Sequence, residues 1–437
     1  MQIIQLLKCN KIINNSIWLI TDKAIRLIGG LLVGAWIARY LGPENYGIIN
    51  FVASFSALFV SFSMLGVDSL LLRELAKTNS DRNILLGTAL RIRNIGSFIS
   101  ALLAVLVSYC LYYKQSPLFV MLTALVMVAN IIQSLDVISL WYQSRIKSKV
   151  VVINKLVAYV IISGMKLLAV IMKAGIWLFV SLGAIENLLG VVFLYLWARF
   201  KDGIKITDWS CSKKITNTFL QEGWLLAVNN LCIITFMKAD TIILGTFAGS
   251  KMVGIYAIAV MISDILYSVA IFACNSAFPK MVELYETNMQ KYYAFLKKFF
   301  MIMVIYSYVC IVGVYFFANS FVMNLYGNEY ILSADIANIH AMSVIFVATG
   351  CIRGNMLIIE HKAKYLFVIT LLGGMINLAL NYYWIPLYGV YGAAYAILLS
   401  QIFVCYFSGI FHKGLWKIFC LQTKAFFLLD LWQLKRT

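Results

Sequence analysis

Charged residues inside long apolar stretches are the side chains of this 437-residue sequence that could do chemistry. Lys23 and Arg26 lie three residues apart in the first stretch, and Lys238 and Asp240 lie deep in the seventh. Inserting such a group at the centre of a membrane helix costs about 2.5–3.5 kcal/mol, so it is expected to face a polar interior and mark a substrate or ion pathway. The candidate cations are Lys23, Arg26, Lys166, Lys238 and Arg353, and the candidate acids are Asp240, Asp264 and Glu186.

The balance of these charges indicates the kind of ligand. An interior with more cations than acids suits an anionic substrate, and carboxyl groups at mid-depth suit coupling to protons or sodium ions. The alternative is mutual pairing that only stabilises the helix bundle, as between Asp22 and Arg26, one helical turn apart. Charged residues near the ends of the stretches are expected to reach water along their own side chains: Arg39, Lys155, Asp68 and Glu222.

Twelve apolar stretches must position these residues, and each reaches the roughly 20 residues that a helix needs to cross about 30 Å of hydrocarbon. They cover roughly residues 16–40, 46–70, 87–111, 117–142, 150–172, 175–198, 219–247, 252–278, 297–321, 335–359, 363–385 and 388–411, with ends uncertain by about two to four residues. The sequence therefore predicts an all-α, polytopic membrane protein with twelve transmembrane helices.

The positive charges between the stretches predict the orientation of the chain. Of 36 lysines and arginines, 26 lie in the two terminal segments, in alternate gaps or at the start of the stretch that follows such a gap; the last group is Arg91, Arg93, Lys297, Lys298 and Lys364. The opposite gaps contain only Lys114, Lys173 and Lys251. Cytoplasmic loops carry the excess of positive charge, so both termini are expected in the cytoplasm.

A short motif recurs halfway along the chain. Residues 40–48 and 247–255 are offset by 207 residues, and they share an aromatic residue followed by two glycines at matching positions. This predicts two six-helix bundles in parallel orientation, residues 1–211 and 212–411, with a substrate path between them. Residues 412–437 are expected to form a cytoplasmic tail. An amphipathic helix that lies along the membrane interface is one structure that this tail could adopt.

Composition and missing motifs exclude several classes of function. With 62% hydrophobic and 12% charged residues, the chain is not a soluble protein. Its net charge of +18 fits the anionic inner leaflet, and nucleic acid is not an expected partner. The nine cysteines and three histidines form no ligand cluster, so no metal or redox site is predicted. No phosphate-binding glycine loop is present and the external gaps are short, so neither a cofactor nor an enzyme is expected.

Three segments carry a resemblance to a known family. Ala38–Phe51 reads ARYLGPENYGIINF after a glycine-rich first stretch, Leu325–Tyr330 reads LYGNEY, and Trp384–Ala394 reads WIPLYGVYGAA. These segments resemble the Wzx-type polysaccharide flippases, a branch of the superfamily that also contains the multidrug and toxin extruders. The resemblance implies a MATE-like fold.

The same resemblance implies a function. Such flippases turn undecaprenyl-pyrophosphate-linked oligosaccharide repeat units, of O-antigen or capsule type, from the inner to the outer leaflet of the bacterial cytoplasmic membrane. Alternating access coupled to a proton or sodium gradient is implied, with membrane lipids, a polysaccharide polymerase and a chain-length regulator as further partners. Alternatives are a multidrug extruder of the same fold, a peptidoglycan-precursor flippase and, as a different class, a membrane-bound glycan polymerase or transferase.

The resemblance also suggests roles for the charged residues. A pyrophosphate is the anion that a cationic interior would bind, which implies substrate contacts for Lys23, Arg26, Lys238 and Arg353, extended by Lys166. Asp240, Asp264 and Glu186, in that order, are the candidates for ion coupling.

Overall fold

The computed structural model describes residues 2–77, 81–410 and 415–429, with side chains at 15, 17–77, 81–362, 364–410 and 415–429. The described residues contain fifteen α-helices and no strand. The helices are α1 (Gln2–Ser63), α2 (Val67–Leu75), α3 (Arg82–Tyr112), α4 (Pro117–Gln133), α5 (Val137–Ser144), α6 (Ser148–Ile171), α7 (Ile176–Lys201) and α8 (Lys213–Ala248). They continue with α9 (Ser250–Thr287), α10 (Met289–Leu325), α11 (Leu332–Met342), α12 (Val344–Ile359), α13 (Ala363–Tyr388), α14 (Val390–Cys405) and α15 (Trp416–Phe426).

Length and apolar composition make this a multi-pass membrane protein. Within the described residues, eleven helical segments are long and apolar enough to cross a bilayer, and the first of them, Ile17–Ser63, contains 47 residues. Large apolar side chains remain uncovered on these segments: Phe316 and Phe317 are 68% and 69% exposed, and Leu387 is 72% exposed. Apolar surface on this scale indicates contact with lipid rather than water.

Breaks in the helices change several predicted boundaries. The second apolar stretch, predicted to end near residue 70, ends as a helix at Ser63, because Leu65 and Gly66 adopt positive φ angles of 45° and 67°. The fourth stretch divides into α4 and α5 around a 3₁₀ turn at Ser134–Asp136. Hydropathy reports the length of an apolar run, and a break inside the run leaves that signal unchanged.

The chain divides into two compact units. Unit 1 consists of residues 1–41 and 48–238, and unit 2 consists of residues 42–47 and 239–437. In unit 1, α3 packs along α4 and α6 along α7; in unit 2, α13 packs along α14, and α9 packs on α11 and α12. The sequence repeat predicted two six-helix bundles that divide at residue 211, and this division stays a prediction.

Each unit has its own apolar core. In unit 1, Leu71 of α2 and Leu86 of α3 are fully buried in one cluster with Tyr142 of α5. In unit 2, Phe300 of α10 and Met356 of α12 are fully buried in a second cluster. Each helix thus covers an apolar stripe on its neighbours, which fixes the side chains on its remaining faces in position.

The repeated motif has matching backbone geometry at its two occurrences. Gly42 has φ 71° and ψ 169°, and Gly249 has φ 83° and ψ 170°, a conformation that favours glycine in both places. Within unit 2 the segments 42–47 and 250–254 pack directly on each other. A methyl group at Gly47 would overlap the carbonyl oxygen of Ser250, and one at Gly254 would overlap that of Pro43.

The tail contains a helix that packs into unit 2. Ile418 and Ala425 of α15 join the core formed by α10 and α12. The buried Gln422 side chain donates to Thr349 Oγ1 at 2.8 Å and to the carbonyl oxygen of Cys405 at 3.0 Å. Residues 411–414 and 430–437 lie outside the described part of the chain, and placement of the tail along the membrane interface stays a prediction.

The close packing at Gly254 predicts a specific loss of stability. Gly254→Ala is expected to lower the free energy of unfolding by about 1–3 kcal/mol, because the methyl group meets backbone that cannot rotate away. Gly313→Ala in α10, where the new methyl group has open space, is expected to be neutral or stabilising by up to about 1 kcal/mol. Thermal unfolding of the purified protein in detergent compares the two variants, and equal midpoints would contradict the expectation.

Candidate functional site

A group of charged side chains in unit 1 brings several predicted site residues together. Asp22 and Arg26 lie one turn apart on α1, and Arg26 Nε is 3.0 Å from Asp22 Oδ1. The guanidinium also lies over the ring of Tyr159 from α6, 5.1 Å from its centroid. The ring reaches this position because Gly29 has no side chain: a Cβ there would meet the Tyr159 hydroxyl.

Glu186 of α7 connects two of the predicted cations. Its Oε1 is 3.2 Å from Arg26 Nη1, and its Oε2 is 2.9 Å from Lys166 Nζ of α6. Arg26 Nη2 donates a further hydrogen bond of 3.1 Å to the carbonyl oxygen of Lys155. One carboxylate therefore holds cations from α1 and α6 against α7.

A second ion pair continues the polar interior along α6. Lys155 Nζ is 2.8 Å from Asp136 Oδ2, in the turn between α4 and α5. The sequence predicted only that Lys155 would reach water, and its side chain, 30% exposed, is instead bound to an acid. The signal that could have found it is helical spacing, because Lys155, Tyr159 and Lys166 recur at intervals that share one face.

These residues form a network with balanced charge. The unit 1 charge network consists of Asp22, Arg26, Asp136, Lys155, Lys166 and Glu186. Its three cations face three acids. In this conformation the charges therefore pair with one another, which was the alternative to substrate binding in the sequence analysis. Lys23 is exposed and has no ion pair among the described side chains. Its assignment to substrate, like that of Arg26 and Lys166, stays a prediction.

In unit 2, Asp240 lies in a different environment. Its side chain accepts hydrogen bonds from the Tyr256 hydroxyl at 2.5 Å and from the backbone N–H of Thr241 at 2.7 Å, and the residue is only 3% exposed. Asp240 belongs to α8 and Tyr256 to α9, so this bond joins two long helices. A buried carboxyl group with oriented donors is a suitable place for a proton or a monovalent cation.

His340 of α11 is a functional candidate that the sequence reasoning missed. It is 1% exposed, and its ring packs edge-on against Tyr256 at a centroid distance of 5.4 Å. Neither ring nitrogen has a hydrogen-bond partner among the described residues. A charged imidazole would require such a partner, so this environment favours the neutral ring. Sequence spacing could not find it, because Asp240, Tyr256 and His340 come from three different helices.

The remaining predicted residues lie apart from these groups. Lys238 is half-buried on α8, and Asp264 is exposed on α9. Arg353 on α12 is 3% exposed, and its guanidinium donates to the carbonyl oxygens of Val404 and Tyr406, at the end of α14. In this conformation Arg353 caps a helix C-terminus, an arrangement that a cation stabilises. The described residues contain no group of three metal-ligating side chains.

Comparison with known proteins identifies the family. A family model described as "Polysaccharide biosynthesis protein" matches residues 12–285, well over half of the chain. The chain belongs to this family. The resemblance predicted from the motifs is thereby confirmed. Among curated proteins, no sequence match was found.

Solved structures show which fold this polysaccharide biosynthesis protein shares. The lipid II flippase MurJ, in an inward closed conformation, aligns with a TM-score of 0.70 and 13% identity, covering 97% of this chain and 93% of that one. An inward-facing multidrug resistance MATE family transporter of the MOP superfamily aligns with a TM-score of 0.68 and 14% identity, covering 91% of this chain and 95% of that one. A MOP superfamily transporter from Pyrococcus furiosus aligns with a TM-score of 0.60 and 12% identity, covering 94% and 96%. At these identities the likeness shows that the chain shares the MATE-like fold of these transporters.

The sharing of Glu186 by two cations predicts that its loss is costly. Glu186→Gln is expected to lower the free energy of unfolding by about 1–3 kcal/mol, because Arg26 and Lys166 lose their common partner in a largely apolar surrounding. The matched control is Glu283→Gln: Glu283 pairs with Lys280 at 2.7 Å, and both side chains are more than half exposed. An exposed pair contributes at most about 1 kcal/mol.

Thermal unfolding in detergent measures both effects. Adding Lys166→Gln to Glu186→Gln is expected to recover part of the loss, since the double variant removes one of the two orphaned cations. Equal destabilisation by Glu186→Gln and Glu283→Gln would show that the network makes no special contribution.

Proposed function

We propose that this protein flips undecaprenyl-pyrophosphate-linked oligosaccharide repeat units, of O-antigen or capsule type, from the inner to the outer leaflet of the bacterial cytoplasmic membrane. The observation that carries the proposal is the match of the polysaccharide biosynthesis family over residues 12–285. The fold supports it, because one structure with this fold is a lipid II flippase. Movement by alternating access is part of the proposal.

The unit 1 charge network supports an anionic headgroup as the ligand. Arg26 and Lys166 are held by Glu186, with Nζ and guanidinium donors already oriented toward a carboxylate. A diphosphate presents the same kind of oxygen acceptor, and an arginine binds it through two donors at once. We propose that the diphosphate binds Arg26 and Lys166 in exchange for Glu186, with Lys23, Lys238 and Arg353 as further contacts in other conformations.

The proposed topology has twelve membrane crossings and both termini in the cytoplasm. The 47-residue segment Ile17–Ser63 is about twice the length that one crossing requires, and Gly42 interrupts its helix near the middle. Counting this segment as two crossings raises eleven segments to twelve. The excess of lysine and arginine in alternate gaps supports the orientation.

For coupling, we propose that Asp240 binds the driving proton or sodium ion. Its burial beside the Tyr256 hydroxyl supports this role. The ring of His340 packs edge-on against the same Tyr256 ring. Glu186 is neutralised by two cations, and Asp264 is exposed, so both are weaker candidates.

Two alternative substrates are compatible with the fold. A multidrug extruder would take organic cations, and a peptidoglycan-precursor flippase would take a different lipid-linked sugar. The charge network, whose cations are oriented to bind oxygen anions, favours a phosphate-bearing substrate over an organic cation.

Complementation tests the substrate. In a bacterium that lacks its own O-antigen flippase and carries the cognate sugar genes, the wild-type chain is expected to restore surface polysaccharide. Arg26→Gln is expected to reduce it at least about tenfold, because a charge-assisted contact is worth about 1.5–3 kcal/mol. Arg26→Lys, which keeps the charge but not the paired donors, is expected to be intermediate.

Lys280→Gln, which removes one exposed cation elsewhere, is the control at matched membrane expression. If wild type fails with cognate sugars while drug resistance rises, the extruder is the better proposal. If all variants match wild type, the flippase proposal stands and the cation assignment is wrong.

Gradient dependence tests the coupling residue. In proteoliposomes with an imposed proton or sodium gradient, Asp240→Asn is expected to abolish the stimulation of flipping while leaving the rate without a gradient within about twofold of wild type, since the amide cannot exchange a proton. Asp208→Asn, in the exposed loop after α7, is the matched control. Stimulation that survives in Asp240→Asn would exclude this residue as the coupling site.

A further inference from the structure

A polar cavity lies in unit 1, and none of the residues that line it belongs to the charge network. It has a volume of about 760 Å³ and is lined by three cations, two acids, one amide and one aromatic ring. These residues are Arg82, Arg145, Lys147, Asp81, Asp202, Asn83 and Trp141. They come from the start of α3, the end of α5 with the following turn, and the residue after α7. The cavity is thus formed where three helix ends meet.

The two acids of this cavity already have partners. Asp81 caps α3, and its Oδ1 accepts the backbone N–H groups of Asn83 at 3.0 Å and Ile84 at 3.3 Å. Asp202 Oδ2 accepts a hydrogen bond of 2.6 Å from the Tyr142 hydroxyl. Both carboxylates therefore accept hydrogen bonds from groups of the protein itself and stabilise the fold.

The cations of the cavity have fewer protein partners than the acids. The guanidinium of Arg145 has no hydrogen bond or ion pair among the described residues, and Lys147 Nζ is 4.0 Å from Asp202 Oδ1. Arg82 stacks over the ring of Trp141 at 5.5 Å, which orients the plane of its guanidinium. Two guanidinium groups and one ammonium group thus line the same cavity, with an excess of one positive charge over the two acids.

The cavity lies on the same side of the protein as the beginning of the first membrane segment, Ile17–Ser63. The backbone N–H of Ser148, which follows the Arg145–Lys147 turn directly, donates to Asn15 Oδ1 at 2.7 Å. In the proposed topology this side is cytoplasmic. The cavity therefore opens at the level of the inner-leaflet headgroups, the membrane region where lysine, arginine and tryptophan side chains concentrate.

We propose that this cavity binds the phosphate of a lipid headgroup in the inner leaflet. Arginine donors match phosphate oxygens in pairs, and the lysine adds a compact charge. Two lipids carry this chemistry at that depth: a resident anionic phospholipid, and the prenyl-linked diphosphate of the substrate waiting to enter, for which undecaprenyl phosphate is the probe. The assignment of side rests on the proposed topology, whereas the phosphate chemistry rests on the cavity alone.

Binding to the purified full-length chain tests the proposal. Native mass spectrometry with added phosphatidylglycerol, with undecaprenyl phosphate and with zwitterionic phosphatidylcholine measures one-to-one lipid binding. Each cation near a headgroup contributes about a fivefold gain in binding. Arg145→Gln with Lys147→Gln is expected to weaken binding of the phosphate lipid by on the order of twentyfold, and Arg145→Lys alone by less.

The control removes two exposed lysines outside the cavity, Lys205→Gln with Lys214→Gln, for the same change in net charge. A selective loss for phosphatidylglycerol supports a resident-lipid site, and a selective loss for undecaprenyl phosphate supports a substrate entry site. Equal losses in cavity and control variants, or no saturable binding by wild type, overturn the proposal. Because flipping is not measured, the result does not depend on the complementation outcome.

Discussion

The cost of an unpaired charge away from water governs the interior of unit 1. A charged side chain in the membrane-spanning part of α1, α6 or α7 would oppose membrane insertion if it faced lipid alone. Glu186 meets this constraint for two cations at once, and Asp136 meets it for Lys155. The three helices are therefore held together by a small set of oxygen–nitrogen contacts between 2.8 and 3.2 Å, which packing of apolar side chains alone would not specify.

The same pairing connects structure with the proposed function. A carboxylate shared by Arg26 and Lys166 can be exchanged for another oxygen anion without leaving either cation unpaired. The displaced Glu186 then needs a proton or a new partner, because the same constraint applies to its charge. The free energy of binding is then the difference between two sets of similar contacts, which keeps a diphosphate from being held too tightly to be released. Asp240 lies in unit 2, where its carboxylate accepts hydrogen bonds from the Tyr256 hydroxyl and the Thr241 backbone N–H and joins α8 to α9.

Backbone contact without side chains is the second constraint on the architecture. Gly47 and Gly254 let two helix starts approach until carbonyl oxygens occupy the space of a Cβ. Gly29 has the corresponding role beside the Tyr159 hydroxyl. In lipid the hydrophobic effect does not drive helices together. Close packing does, and small residues such as these permit it. The repeated motif is thus explained by geometry at both of its occurrences.

The sequence by itself determined the class of protein, the position of nearly every apolar segment and the family. The length of an apolar run and the motif around Gly42 are local properties, so they can be read from the sequence without knowing which residues are in contact. It also identified Arg26, Lys166 and Glu186 as charges that the membrane interior would have to accommodate. Only the tertiary structure decided that these three meet, that Lys155 pairs with Asp136, that Arg353 faces the end of α14 and that His340 lies against Tyr256. The reason is physical: the cost of burying a charge can be read from its place in an apolar run, but the partner that offsets this cost comes from another helix, and its identity depends on how the helices pack.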